Sequence, residues 1–148
     1  IGSAYYKAKD TPFEVSPSTV AWWKRQSQEA IASLHVNRMS LPDALSDLRT
    51  WMLDAGFPVE SRYPVQSTVW ANPPSFDLTI LDHAFRQCGV TKPWHYRQER
   101  CSRTLWAEFA DINAPKPDGL VFHRADHDAL RQLYGILPVL RRLKEAAA

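Results

Sequence analysis

The chain has 148 residues, 45% of them hydrophobic and 23% charged, and its formal net charge is +2. This length suits one domain with its own core, and the composition excludes disordered, collagen-like and fibrous chains. Apolar runs are too short to span a bilayer and no signal peptide is recognisable, so we expect a soluble, cytoplasmic protein that does not bind membranes. Two cysteines, Cys88 and Cys101, are too few for a disulfide scaffold and fit a reducing compartment.

The N-terminal residues 1–15 mix aromatic, charged and proline residues without a sustained period. They are predicted to form an arm laid across the rest of the protein. Residues 1–3 are expected to be a cloning remnant and are left out of these predictions. The remaining residues, 16–148, are predicted to form a single helix-rich domain, because no repeat or low-complexity segment divides them.

Two helices are predicted in the first third of the chain. Ser16, followed by a proline, indicates the start of a helix that runs to about Leu34. Ser40 repeats the same capping pattern, and apolar residues at helical spacing follow it. Gly56 ends this second helix, because glycine readily adopts the left-handed conformation of a C-terminal cap.

Four prolines between residues 57 and 74 argue against a long buried strand, although Val65–Trp70 could form a short edge strand. A third helix follows Ser75 and ends near Gly89. Its apolar face would carry Leu78, Leu81, Phe85 and Cys88.

The segment after Gly89 decides the predicted fold. Thr91 and a first-turn proline indicate a fourth helix over residues 91–101, joined to the third by a short turn as in a helix-turn-helix. Thr104–Phe109 and Leu120–His123 are predicted strands of an antiparallel hairpin, or wing. An alternative places a strand over Trp94–Gln98, where the side chains alternate in character.

The last helix is predicted to start near Asp126 and to carry a stripe of leucines. Gly135 and Pro138 predict a kink or break within it. The predicted fold class is therefore α+β and predominantly helical, an elaborated winged helix-turn-helix with four to five helices and a small antiparallel β-hairpin.

Positive charge is concentrated around the predicted fourth helix. Between Arg86 and Arg103, five basic residues stand against one acidic residue, Glu99. Aromatic and amide side chains are interleaved with them, as in surfaces that bind nucleic acid. The predicted nucleic-acid-binding residues are Lys92, His95, Arg97, Gln98, Arg100, Arg103 and, in the wing, Lys116.

The sequence thus predicts a module that binds duplex DNA and is either regulatory or part of a larger protein. Arg97 or Arg100 could pair with guanine and Gln98 with adenine, whereas Lys92, Arg100, Arg103 and Lys116 would contact phosphates. The alternative interpretation makes these arginines ordinary surface charges whose stems cover aromatic rings.

A protein-binding adaptor without catalysis is the second hypothesis. Six tryptophans are many for this length, and an exposed tryptophan often anchors a protein interface. Trp22 and Trp70 are the residues chosen for such a patch, although packing in the core is the simpler interpretation of each.

Catalytic chemistry receives little support from the sequence, which predicts no cofactor and no enzyme. Cys88 is interpreted as a buried apolar residue, and Cys101, between two arginines, is the better candidate for a lowered thiol pKa. A metal-dependent hydrolase is retained only as a minor alternative, because capping and solvation explain its candidate residues more simply. That cluster comprises His123, Asp126, His127 and Asp128.

Overall fold

The computed structural model describes residues 15–112 and 117–147. They form an α+β structure that is mostly helical, as predicted, and none of the helices in these ranges is long and apolar enough to cross a membrane. The predicted N-terminal arm lies outside the described residues except for Val15. The elements are α1 Pro17–Trp23, α2 Gln28–Ser33, α3 Leu41–Asp54, β1 Val69–Ala71, α4 Pro74–Gln87, a 3₁₀ helix Tyr96–Gln98, β2 Glu99–Cys101, α5 Ser102–Glu108 and α6 Ala125–Ala146.

The sheet consists of β1 and β2, which pair in parallel with Val69 opposite Glu99 and Ala71 opposite Cys101. The predicted antiparallel hairpin is wrong, because the segment chosen as its first strand, Thr104–Phe109, lies mostly in helix α5. The second, Leu120–His123, has no strand structure. Parallel pairing places the carboxyl ends of both strands at the same edge of the sheet.

The predicted first helix is divided in two. Ser16 does cap α1, accepting a hydrogen bond from the Thr19 amide at 3.4 Å. However, α1 ends at Trp23, and α2 begins after Ser27, whose hydroxyl accepts from the Ala30 amide at 3.1 Å. A second serine cap therefore starts a new helix inside the predicted one.

Helices α3 and α4 follow the sequence prediction closely. Gly56, with a φ of +75°, ends α3, and the next amide, that of Phe57, donates to the Met52 carbonyl at 2.9 Å. Gly89, with a φ of +65°, ends α4 in the same way. Both are Schellman caps, which need the left-handed conformation that glycine adopts at little cost.

The main core lies where α4 packs against α3 and against both strands. Phe85 of α4 and Trp94 meet edge to face, with ring centroids 5.6 Å apart, and both side chains are buried. This arrangement fixes α4 relative to the sheet, and with it the loop between β1 and α4. The buried apolar residues of the cluster are Leu45, Met52, Ala71, Leu78, Ala84, Phe85 and Trp94.

The predicted helix over residues 91–101 is wrong. One turn of 3₁₀ helix, Tyr96–Gln98, leads directly into β2. Gln98 is fully buried. Its side-chain amide accepts a hydrogen bond from the Glu60 backbone N–H through Oε1 and donates to the Pro58 carbonyl through Nε2. These distant partners fix the segment against the loop that contains residues 58–60. The winged-helix prediction is unconfirmed, because the segments predicted as its fourth helix and wing strands have other structures.

Helix α6 continues through Pro138, so of the two predicted outcomes the break is wrong and the kink stays a prediction. Gly135 has a packing role, because a Cβ atom there would lie 2.9 Å from Nε1 of Trp106. Because Gly135 has no side chain, the Trp106 indole of α5 can pack directly against the backbone of α6.

Candidate functional site

A cavity of 1260 Å³ opens beside β1 and is bounded by parts of α3, α4, α5 and α6. We call it the β1 cavity. Most of its wall is apolar. The ionisable side chains that line it are Asp77, His123, Asp128 and Arg131.

The cavity includes the carboxyl end of β1. Asn72 follows the last residue of the strand, and Asp77 lies in the first turn of α4. Both line the cavity. In sheets with parallel strands, the crevice at the carboxyl ends of the strands is the usual place for ligands.

A buried serine ties α6 to this end of the sheet. Ser102 is fully buried, its hydroxyl donates to the Ala71 carbonyl at 3.0 Å, and it lies 3.5 Å from Oε1 of Gln132. Gln132 and Asp128 are one turn apart on α6 and share a face of that helix. The Ser102 contacts therefore help to position Asp128 beside the end of β1.

Asp128 and Arg131 form an ion pair in the first turns of α6, with 2.8 Å between the carboxylate and the guanidinium. Arg131 also lies over the ring of Phe122, 3.8 Å from its centroid. These contacts fix the guanidinium at the wall of the cavity, where its remaining N–H groups can donate to an anionic ligand.

His123 reaches the cavity from the turn before α6. Its φ of +65° is unusual for a residue with a side chain. Its ring packs edge to face on that of Trp22, with the ring centroids 4.6 Å apart. His127, in contrast, accepts a hydrogen bond from the Val121 amide through Nδ1 at 2.8 Å. The two histidines therefore have different roles.

No group of three or more His, Cys, Asp or Glu side chains within residues 15–112 and 117–147 is close enough together to hold a metal ion. The proposed 123–128 cluster does not form such a group. Asp126 instead pairs with Arg124 at 2.8 Å, and that contact lowers the pKa of Asp126.

Several predicted nucleic-acid-binding residues are engaged within the protein. Lys92 lies 3.0 Å from Asp82 and 3.3 Å from Glu99, and Gln98 is buried. The guanidinium of Arg100 donates to the carbonyl oxygens of Arg97 and Glu99 at 2.7 and 2.8 Å. These side chains do not form an outward-facing basic strip.

The other predicted residues are dispersed. Arg103 donates to the Asn72 side chain at 3.3 Å and thus lies beside the β1 cavity. Lys116 is outside the described residues. His95 and Arg97 are partly accessible and lie on a surface outside the β1 cavity.

The tryptophans chosen for a protein interface are partly buried. Trp22 packs on Trp23 and His123, and the indole of Trp70 donates to the Thr68 hydroxyl at 2.9 Å. Both side chains thus have partners within the protein.

The thiol of Cys101 has the predicted shift but a different main cause. Its sulfur caps α5 by accepting from the Thr104 amide at 3.4 Å, and hydrogen bonds from Thr104 lower the pKa of Cys101. The charge of Arg103 contributes least among the causes. The predicted electrostatic explanation is therefore secondary.

Residues 1–134 match the model of a protein family described as the 3′-5′ exoribonuclease Rv2179c-like domain. Comparisons with curated proteins and with solved structures give no match. The family points to a hydrolytic enzyme that acts on RNA. The predictions of a non-catalytic protein, a DNA-binding regulator and a duplex DNA partner are therefore wrong, whereas the minor hydrolase alternative had the right class of reaction.

Sequence reasoning missed Asp77. The available signal was an aspartate in the first helical turn after a short predicted strand, which is where parallel sheets place ligand-binding groups. His123 and Asp128 were considered and set aside, because a strand was predicted to end at His123.

Proposed function

Because the chain belongs to the 3′-5′ exoribonuclease Rv2179c-like domain family, we propose that it hydrolyses RNA from the 3′ end and that the reaction takes place in the β1 cavity. The observation that carries this proposal is the placement of Asp77, His123 and Asp128. Three separate segments bring these ionisable side chains to one cavity at the carboxyl end of β1. Acid–base groups gathered in a single cleft are the usual signature of a hydrolytic site.

The proposed reaction is the hydrolysis of the terminal phosphodiester. Water adds to phosphorus, the bond from phosphorus to O3′ breaks, and the O3′ atom of the shortened RNA takes up a proton. The products are a nucleoside 5′-monophosphate and an RNA with a new 3′ hydroxyl. His123 is exposed, and its imidazole can accept the proton of the attacking water.

The phosphate oxygens gain negative charge during this reaction. Arg131, held by Asp128 and Phe122, has further guanidinium N–H groups on the cavity wall that can donate to these oxygens. Trp22 positions the His123 ring through its edge-to-face contact. The protein's own side chains thus provide a base and a cationic group.

Nucleases commonly use divalent cations, and Mg²⁺ is typically bound by one or two carboxylates together with water and substrate phosphates. The donor set of the cavity, Asp77 and Asp128, fits that chemistry without a closed protein cage. These two aspartates would hold such an ion, which would supply Lewis-acid charge to the scissile phosphate when bound.

The direct test follows a single-stranded RNA labelled at its 5′ end. We expect a ladder of progressively shorter products, whereas the same RNA labelled at its 3′ end should release labelled mononucleotide from the first turnover. A circular RNA of the same sequence is the control and should remain intact. Failure to degrade linear RNA, or early internal fragments from the circle, would contradict the proposal.

Asp77 can be tested against a matched aspartate. Asp43 also lies in the first turn of a helix, but outside the β1 cavity. Asp77→Asn should lower kcat by about 100-fold or more, as expected for loss of a group that acts on the reacting atoms. Asp43→Asn should keep the wild-type rate. Equal rates for the two variants would exclude Asp77 from the reaction.

A further inference from the structure

Two exposed tyrosines flank an arginine on a surface that the proposed reaction does not use. The guanidinium carbon of Arg97 lies 5.0 Å from the ring centroid of Tyr96 and 5.7 Å from that of Tyr63. Tyr63 is 67% exposed and Tyr96 is 61% exposed. We call these three residues the tyrosine–arginine platform.

The platform is held in place by two side chains, those of Arg97 and Gln98, which bond to the backbone of the loop that carries Tyr63. Arg97 donates to the Ser61 carbonyl at 3.0 Å, which joins the 3₁₀ helix to the loop that carries Tyr63. Buried Gln98 bonds to the same loop through the Glu60 amide at 3.0 Å. The loop that carries Tyr63 and the 3₁₀ helix that carries Tyr96 are therefore fixed against each other.

Arg97 keeps its charge available. Lys92 is neutralised by two acids, but Arg97 forms no ion pair with a carboxylate of the described ranges. The nearby carboxylate of Glu60 accepts hydrogen bonds from the amides of Gln66 and Ser67, at 2.9 and 2.8 Å. Exposed rings beside a guanidinium that has no carboxylate partner among the described residues are the combination that binds single-stranded nucleic acid, through base stacking and phosphate contact.

The platform lies next to one end of the β1 cavity. Gln98 donates to the Ser67 carbonyl at 3.2 Å, and Ser67 lines the cavity. Asn72 lines it at the other end of β1, five residues further along the chain. Five residues span at most about 18 Å, so an RNA strand of several nucleotides could reach from the site near Asn72 to the platform.

We propose that the tyrosine–arginine platform binds single-stranded RNA on the 5′ side of the nucleotide being removed. Tyr63 and Tyr96 stack on bases and Arg97 contacts a phosphate. The enzyme then favours single-stranded substrates long enough to reach the platform. The inference rests on the proposed function for the orientation of the strand, while the platform's contribution to RNA binding is tested separately.

The test compares single-stranded RNAs of three and twelve nucleotides, with affinity measured by fluorescence anisotropy and hydrolysis measured in parallel. Stacking of one base is worth roughly a factor of ten in affinity. Tyr63→Ser and Tyr96→Ser should each weaken binding of the longer RNA by about that factor, and Arg97→Gln should also weaken it. The short RNA should be bound and cleaved as by the wild type. Tyr134→Ser, which changes an exposed tyrosine of α6, is the matched control and should alter neither.

Unchanged affinity of the platform variants for the longer RNA would overturn the inference, and so would an equal loss with both lengths. Because both tyrosines are highly exposed, Tyr63→Ser and Tyr96→Ser should keep the wild-type melting temperature. Failure of the wild type to hydrolyse either RNA would refute the proposed function instead, and the anisotropy data would still decide whether the platform binds RNA.

Discussion

Ser102→Ala removes the hydroxyl that joins the end of β1 to α6. The side chain is fully buried, so the Ala71 carbonyl loses this donor in a place that water does not readily reach. Loss of a buried hydrogen bond costs about 1–3 kcal/mol. For a domain of this size, 1 kcal/mol corresponds to roughly 3 °C in melting temperature, so we expect a decrease of roughly 3–9 °C.

The same change should impair catalysis, because Asp128 lies one turn from Gln132, the contact of Ser102 on α6. Small displacements of reacting groups can cost about 100-fold in rate. Thermal unfolding followed by circular dichroism gives the stability effect, and hydrolysis of labelled RNA well below the melting temperature gives kcat. Ser46→Ala, at an exposed helical serine, is the control.

A double-mutant cycle separates the two contacts of the hydroxyl. Gln132→Ala should cost less stability than Ser102→Ala, because its contact is longer, 3.5 Å against 3.0 Å. The effects of the two changes on the free energy of unfolding should not add up, because the two residues are in contact. If Ser102→Ala melts and reacts like Ser46→Ala, the described link between sheet and helix is refuted.

Three other predictions concern separate parts of the molecule. Trp22→Leu should lower kcat by removing the ring against His123, and a change confined to KM would argue against that positioning role. Hydrogen bonds from the backbone amides of Ser67 and Gln66 lower the pKa of Glu60 from 4.5. The Glu60 carboxylate therefore stabilises the fold above pH 4.5, and this contribution is lost as the pH falls through the lowered pKa. Glu60→Gln should therefore lose more stability at pH 7 than at pH 3 in urea titrations, and equal losses would exclude this linkage. Gly135→Ala should lower the melting temperature because its Cβ would overlap the Trp106 ring, although alanine is the better helix former by about 1 kcal/mol. A higher melting temperature would contradict that packing.

Local signals predicted the helices well where capping and periodicity agree. Helices α3 and α4 have apolar faces at helical spacing and end at Gly56 and Gly89, and both glycines adopt the left-handed conformation. Such features depend on residues close in sequence, so they can be identified without knowing the tertiary contacts.

The segment after Gly89 could not be predicted in this way. Gln98 is fixed by partners about 40 residues earlier, and β2 is only three residues long, too short to show an alternating pattern. Cys101 caps α5 with its sulfur, whereas serine, threonine, aspartate and asparagine are the usual signals for that position. The choice between helix and strand therefore depended on long-range contacts.

The candidate site could not be predicted either, because it also depends on long-range contacts. Asp77 and Asp128 are 51 positions apart, and only the packing of α4 and α6 around the end of β1 brings both to one cavity. His123 also depends on a backbone conformation that its residue type does not suggest. The charge pattern did indicate nucleic acid, but the residues that produced it largely bond within the protein.

The most direct test of the β1 cavity as the active site compares two aspartates of the same helical turn. Asp128 lines the cavity, whereas Asp126 lies outside it and pairs with Arg124. In single-turnover hydrolysis of a 5′-labelled RNA, Asp128→Asn should reduce the rate by about 100-fold or more, and Asp126→Asn should retain it. Wild-type activity in Asp128→Asn, or an equal loss in both variants, would contradict the assignment.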